Sequence, residues 1–411
     1  MADMLVIGAG MVGVSTALAL QARGHDVTLV DRKAPGRETS FGNAGIIQAE
    51  AAEPYALPRD LATLLRFGAG LTNDVMWRPR GVLEMAPALW SYFRNSLPAK
   101  HATTSRIYAR LTSRATADHA PLIEAAGAEN LMSRQGLAIL YRAPAAFAAA
   151  VTDAERVHGT YGVTFRASDG LGYLREEPAL TKAPAGVIVW DQSWSCASPG
   201  DLTAAYAALF SRRGGRVLTG DAGTLQQAGQ GWSVLTESGA TTAETAVVAL
   251  GPWAPQLLKR FGYRIQMIYK RGYHGHYGMD VALRRPLLDV ANGVVAAPMT
   301  SGLRISTGAA LVHRGAGPDT RQLDRGLRAL GEIMDIGARR DEPQWYGSRP
   351  CLPDMLPMVG RAPRHSGLWF NFGHGHQGFT LGPTTAELLA QAHEQGSEAV
   401  LGAISPAGRL R

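Results

Sequence analysis

Two local patterns predict an α/β protein in which a dinucleotide-binding domain is joined to a second domain of α+β type. The first is an N-terminal succession of strand, glycine turn, helix, strand and terminal acid, complete by Asp31. The second is a block at 262–312 whose runs of Tyr, Ile, Val and Thr are punctuated by Gly, Asn and Pro, the texture of an antiparallel sheet. Length agrees: 411 residues are enough for two or three domains and a large core.

The N-terminal unit opens with the apolar run Met4 to Ile7, followed at once by Gly8-Ala9-Gly10-Met11-Val12-Gly13. Val14 to Ala22 continues as a helix of small and apolar residues. The strand Val27 to Val30 then ends on Asp31. In a Rossmann-like unit Gly8 allows the tight turn, Gly10 lets the backbone approach a pyrophosphate, and Gly13 lets helix and strand pack closely. The helix N-terminus offers free N–H groups and a positive dipole end to the phosphates. Asp31 can accept the ribose hydroxyls of an adenosine, and its charge disfavours a 2′-phosphate. A glycine-rich turn alone would be weak; the full order of elements is what points to a dinucleotide.

Further along, Thr39-Ser40-Phe41-Gly42-Asn43-Ala44-Gly45-Ile46-Ile47 is a turn-rich stretch whose backbone donors and Ser40 hydroxyl suit a phosphate or a ring edge. Helical patterns cover 101–127, with Gly127 as a stop, and Ala145 to His158. Leu202 to Arg213 is a third helix with Asp201 as its expected N-cap, leading through Gly214-Gly215 into a strand at Arg216 to Leu218. Trp232 to Leu235 and Thr245 to Leu250 read as strands. In the antiparallel block the expected strands are Arg264 to Tyr269, Tyr273 to Tyr277, Val294 to Pro298 and Leu303 to Thr307. A helix near 320–338 follows. The strand Leu368 to Phe372 then opens into Gly373-His374-Gly375-His376-Gln377-Gly378, and Pro383 is read as the first turn of a helix to about Gln395.

Composition excludes several classes. Charged residues at 18% and apolar residues at 46% exclude wholesale disorder. Glycine, at 48 residues, exceeds its usual share of about 7%, as many tight turns or close approaches to a ligand require. Cys196 and Cys351 cannot make a disulfide framework, so a reduced, cytoplasmic protein is expected. The net charge of +7 is scattered, and its short basic clusters are not interleaved with aromatics, which argues against nucleic acid. A solvated basic surface is the simpler reading, with peripheral contact to the inner face of a membrane as the alternative. No apolar run is long enough to span a bilayer, and the N-terminus lacks a signal-peptide pattern.

These residues resemble the D-amino acid oxidase and dehydrogenase superfamily of FAD enzymes, in particular its bacterial D-amino acid dehydrogenase branch. The likeness rests on Gly8 to Gly13 with Asp31, Thr39 to Gly45, Val248-Ala249-Leu250-Gly251-Pro252-Trp253 and Lys270-Arg271-Gly272-Tyr273. It rests also on Gly347-Ser348-Arg349-Pro350 followed by Pro353-Asp354 and Pro357, and on Asn371-Phe372-Gly373-His374-Gly375. The resemblance implies a discontinuous FAD domain (1–75, 150–260 and 335–411) and a substrate domain (76–149 and 261–334). It implies oxidation of an amino acid at the carbon bearing the amine, with electrons passed to a quinone or another carrier. An oxygen-using oxidase of glycine or sarcosine type and a flavin subunit of a larger complex are the alternatives. The chain departs from the family pattern at Thr307-Gly308-Ala309-Ala310, where relatives often carry an acid. Cys351 falls near the place where sarcosine oxidase-like relatives attach flavin, but its spacing to Asp354 is too short, so non-covalent FAD is expected.

The residues expected around FAD are Gly8, Gly10, Met11, Val12, Gly13, Asp31, Arg32, Ser40, Asn43, Ala44, Gly45, Ile46, Ala222, Gly251, Trp253, Gly375, His376, Gln377, Gly378 and Thr380. Backbone N–H groups of Gly375, Gln377 and Gly378, with the helix behind them, suit the negative charge that reduction places on a flavin. Hydride transfer needs positioning more than a strong base, and no metal constellation is expected. Arg349 is the expected carboxylate anchor, because a guanidinium pairs bidentately and stays charged. Tyr273 is expected to donate to the same carboxylate, with Tyr269 and Tyr277 on its face and His274 and His276 on the other. His376 is expected to line the flavin or substrate.

Overall fold

The computed structural model describes residues 2–395 and 399–410. The first sheet has eight strands, in the order Gly239–Ala243, Gly231–Thr236, Arg216–Ala228, Asp26–Asp31, Asp3–Ile7, Thr245–Val248, Leu368–Phe372, Met358–Arg361. The five strands from Arg216–Ala228 to Leu368–Phe372 run parallel, and antiparallel strands close both edges. Alternation along Asp3–Ile7 feeds two cores: Met4 and Val6 point to one face, Leu5 and Ile7 to the other. The first face packs against the helices Met11–Gln21, Pro199–Arg212 and Gly378–Gln395 through Val14, Leu18, Tyr206, Phe210, Leu381 and Leu389. Helix Met11–Gln21 is small and apolar all round because it is enclosed on nearly every side.

The second sheet has ten strands and is mainly antiparallel. Its order is Val75–Trp77, Ala309–Leu311, Ile268–Tyr277, Gly302–Thr307, Val294–Met299, Leu287–Asp289, Leu137–Tyr141, Gly186–Trp190, Phe165–Asp169, with Trp345–Cys351 pairing on Ile268–Tyr277. Phe165–Asp169, Gly186–Trp190 and Trp345–Cys351 thus sit in this sheet, although the boundaries at 150 and 335 assigned them to the FAD domain. Each is a short β-rich run, and nothing local says which sheet it will join.

Other expectations are corrected locally. The strands expected at 264–269 and 273–277 are one strand, Ile268–Tyr277; Gly272, read as a break, lies within the ladder opposite Gly347. The 101–127 region is two helices, Pro98–Thr112 and Ala115–Ala126, and does stop at Gly127. The helix expected from Leu202 begins at Pro199, and Asp201 lies in its first turn with Ser198 at the cap. The helix near 320–338 is shorter, Arg321–Gly331.

The final helix starts at Gly378, so Pro383 lies inside it. A proline there cannot bond the carbonyl four residues back, that of Phe379. The buried His119 Nε2 meets this carbonyl at 3.0 Å instead. The helix tolerates its proline because another helix supplies the missing donor.

Candidate active site

A cavity of about 1440 Å³ runs from the N-terminal glycine turn to the face of the second sheet. That exceeds the roughly 300–1,000 Å³ of ordinary small-ligand pockets. Gly8, Gly10, Val12, Asp31, Arg32, Ser40, Asn43, Ala44, Ile46, Ala222, Gly251, Trp253, Gly375, His376 and Gly378 all line it. Met11, Gly13, Gly45, Gln377 and Thr380 do not; they stand behind the wall.

At the turn, Gly8 has φ +112°, and a Cβ on Gly13 would lie 1.7 Å from the Gly8 carbonyl oxygen. Gly13 therefore sets how closely helix and strand approach, as expected. Gly10 caps the helix in extended conformation, and a Cβ there would meet nothing within 4 Å except Ser40 Oγ at 3.3 Å. The space beside Gly10 is open cavity. Met11 offers only its backbone: its side chain is in the core and its N–H donates to Ser40 Oγ at 2.9 Å. Asp31 accepts from Ala9 N–H at 2.6 Å through one oxygen and from Lys33 N–H at 3.1 Å through the other. Each oxygen keeps a lone pair for a ribose hydroxyl. Arg32 pairs with Glu38 and lies over the Trp253 ring at 4.8 Å.

The loop at 39–45 is held from behind. Arg304, buried in the second sheet, donates to the carbonyls of Phe41, at 2.9 Å, and Asn43, and its Nε meets His276 Nε2 at 2.9 Å. His276 in turn bonds Glu342 through Nδ1 at 2.7 Å. The Asn43 side chain accepts from Gly45 N–H at 2.8 Å and so folds the loop. Gly42 must be glycine for space, since a Cβ there would lie 1.8 Å from the Trp345 ring. Gln48 N–H and the Ile46 carbonyl both meet Thr380 Oγ1, so Thr380 ties this segment to the final helix.

At the other end the register places Lys270 directly opposite Arg349. Both line the cavity and neither has a carboxylate partner among the described residues. Arg349 Nη1 donates to the Gly308 carbonyl at 2.7 Å and Nη2 to the Thr307 carbonyl at 3.0 Å. Burial pushes its guanidinium below the ordinary arginine value, though an arginine remains charged in water-like pH. Lys270 Nζ donates to Tyr92 Oη at 3.1 Å and sits 4.6 Å from that ring's centre; Tyr92 Oη donates in turn to the Tyr55 carbonyl. Two neighbouring cations in a buried cavity without an anion are costly unless a ligand supplies one.

The same register moves Tyr273. On an unbroken strand Lys270, Gly272 and His274 share one face, with Arg349, Gly347 and Trp345 opposite them. Tyr273 alternates to the other face, toward Tyr346, Ala310 and Val312, yet still lines part of the cavity wall, and its buried hydroxyl has no hydrogen-bond partner among the described residues. It does not share a face of the strand pair with Arg349, and no hydrogen bond joins the two among the described residues. His274 is on the Lys270 face but outside the cavity lining, stacked on Trp345 at 4.5 Å, with burial pushing its pKa down to about 2.

His376 does reach the cavity, its ring 5.1 Å from that of Tyr55. Burial, then the charges of Arg349 and Lys270, push its pKa down to about 3. It is neutral at ordinary pH and a weak proton acceptor. Two of the backbone donors expected for a flavin are already used: Gly375 N–H bonds the Pro350 carbonyl at 2.9 Å and Gln377 N–H bonds that of His374 at 3.0 Å. The available donors are those of the first turn of Gly378–Gln395, which have no partner inside the helix. Sequence reading missed Lys270 and Tyr55. The basic pair Lys270-Arg271 inside a β-rich stretch was the one signal for Lys270.

The model of the FAD dependent oxidoreductase family matches residues 3–392. The chain belongs to that family. A D-amino acid dehydrogenase of Cereibacter sphaeroides is 31% identical over 399 residues, covering 94% of this chain and 90% of the relative. A D-amino-acid oxidase of Bradyrhizobium diazoefficiens is 28% identical, with 94% and 93% covered. Among solved structures the oxidoreductase is similar in fold to glycine oxidase from Geobacillus kaustophilus, with TM-score 0.73, 21% identity and 98% of each chain covered. Its cofactor is FAD. The residues present fit that group: the open cradle at Gly10 suits a pyrophosphate, Asp31 a ribose, and the Gly378 helix end the polar edge of a flavin ring.

Proposed function

We propose that this oxidoreductase oxidises a D-amino acid, or a cyclic D-imino acid, at the carbon bearing the amine, and that its electrons pass to a quinone or another carrier. The observation that carries the reading is the pair Arg349 and Lys270, two half-buried cations facing the cavity without a carboxylate partner among the described residues. A substrate carboxylate is the group that would complete them. The relatives named D-amino acid dehydrogenase support the D configuration and the carrier.

FAD supplies a two-electron acceptor at flavin N5. Arg349 holds the carboxylate with the three N–H donors its two carbonyl bonds leave free, and this orients the α-carbon. Lys270, held by Tyr92, adds positive charge at the same end. With FAD bound as the two-electron acceptor, loss of the α-hydrogen as hydride would let the amine lone pair close a C=N bond, an N–H proton passing to water. Water then converts an acyclic imine to the 2-oxo acid and ammonia. His376, neutral and close to both cations, keeps charge away from the amine. Cys351, beside Gly375, is read as unattached to the flavin.

No helix among the described residues is long and apolar enough to cross a membrane. We place the protein in the cytoplasm, in peripheral contact with the inner membrane face. The test of function is anaerobic flavin bleaching by a panel of D- and L-amino acids, cyclic imino acids and the matching amines without a carboxylate. Bleaching by D-amino or D-imino acids alone is expected. Equal bleaching by the amines would overturn the reading, and rapid oxygen consumption would replace the carrier by oxygen.

A further inference from the structure

Two helices roof the cavity, and their outer surface carries large apolar side chains, as the inner one does. Helix Leu61–Gly68 has no buried residue; Leu64 and Phe67 line the cavity, while Leu61 and Leu65, one turn apart, are 70% and 63% exposed. Helix Pro79–Asn95 buries Met85, Ala88 and Tyr92 and turns Val82 and Leu89 to the cavity. Its outward stripe runs Arg80, Leu83, Pro87, Trp90, Arg94 at spacings of three and four, with Leu83 74% and Trp90 62% exposed. A stripe facing water is normally polar.

The helices are tied at both ends. Arg59, just before the first, donates to the Phe93 carbonyl at 2.7 Å beside Trp90, and Trp77, just before the second, donates to the Phe67 carbonyl at 3.1 Å. They lie side by side and share one outer surface. Of thirteen large hydrophobic side chains exposed among the described residues, eight fall between Tyr55 and Leu97. An apolar surface so concentrated marks an interaction site.

Charge says what covers it. Of the arginines in this stretch Arg78 pairs with Asp319, whereas Arg59, Arg66, Arg80 and Arg94 have no carboxylate partner among the described residues. Apolar side chains between unpaired arginines match an anionic lipid surface, where the leucines and tryptophan enter the acyl boundary and the arginines meet headgroups. A second copy related by a two-fold axis would instead set like charges against each other.

We propose that this roof docks on an anionic membrane, so that a lipid-dissolved acceptor approaches the cavity between the two helices. The route of the acceptor rests on the function proposed above; the docking does not. The experiment is flotation of the FAD-loaded protein with vesicles of phosphatidylcholine and phosphatidylglycerol, against phosphatidylcholine alone, at low and high salt. Binding to the anionic vesicles is expected, weaker by about tenfold on the neutral ones or in high salt. Leu65→Asp with Trp90→Asp should cut binding by tenfold or more, roughly the effect of losing one buried leucine-sized contact. Arg66→Glu with Arg94→Glu should weaken binding and flatten its salt dependence. These side chains lie outside the cavity lining, so full FAD content and unchanged flavin reduction in solution show that the variants are folded. No flotation of the wild type, or unchanged flotation of the Leu65/Trp90 variant, overturns the proposal. So does a wild-type dimer that the same substitutions dissociate, because a second copy then covers the roof. Failure of D-amino acids to bleach the flavin would strike the oxidation reading alone.

Discussion

Replacing Arg349 with lysine keeps the charge and removes the fork. The guanidinium has five N–H donors, and two of them hold the Gly308 and Thr307 carbonyls at 2.7 and 3.0 Å. Three remain, enough for a bidentate grip on a carboxylate. An ammonium has three donors in all, and the two carbonyls claim two of them, which leaves one for the substrate. Each charge-assisted hydrogen bond contributes about 1.5–3 kcal/mol. Losing one of two substrate bonds at about 2 kcal/mol lowers kcat/KM about 30-fold. Arg349→Ala loses both, about 3–6 kcal/mol, or two to four orders of magnitude. It also orphans two carbonyls, at a stability cost of about 1–3 kcal/mol. FAD content should be unchanged, because the dinucleotide cradle lies at the other sheet. The assay is rapid-mixing flavin reduction by a D-amino acid and by the corresponding amine lacking the carboxylate. The variants should fall behind the wild type with the acid and match it with the amine. Wild-type rate and affinity in Arg349→Lys, or equal losses with both substrates, would refute the anchor.

Other outcomes follow from the same geometry. Gly10→Val should give a folded protein without FAD, since a side chain there enters open cavity and touches little else; Gly13→Ala, whose Cβ would lie 1.7 Å from a carbonyl oxygen, should lose both fold and FAD, and flavin absorbance with thermal melting separates the two. Acidification should destabilise the fold: burial holds His119 at about 4, His374 and His376 at about 3 and His274 at about 2, against about 6.5 in an unfolded chain. The unfolded state therefore binds more protons below about pH 6.5, and each histidine costs about 2 kcal/mol by pH 5. Equal urea midpoints at pH 7 and pH 5 would contradict this. Precipitation with acid should leave the flavin in the supernatant, and flavin retained in the pellet but lost from Cys351→Ala would show a covalent attachment.

The N-terminal unit was legible because all of its parts are local. Gly8, Gly10 and Gly13 are set by a turn between neighbouring elements, and Asp31 closes the adjacent strand. The strand Leu368–Phe372 was legible for the same reason, as a short apolar run bounded by glycine loops. The final helix was misread at its start because the donor that lets Pro383 sit inside it comes from His119, far away in sequence.

The candidate substrate end divides along the same line. Sequence alone determined that Arg349 is present, that residues 273–277 are extended, and that Tyr273 and His274 must face opposite ways. Only the pairing of Trp345–Cys351 with Ile268–Tyr277 set Lys270 beside Arg349 in the cavity wall and stacked His274 on Trp345, while Tyr273 kept a place in that wall from the other face. Period-two alternation is a property of one strand's backbone, whereas register is settled by a partner strand and by what each face buries. The unpaired positive charge at the site belongs to that second kind: neither Arg349 nor Lys270 reveals it singly, because a missing counter-ion is a fact about everything packed around them.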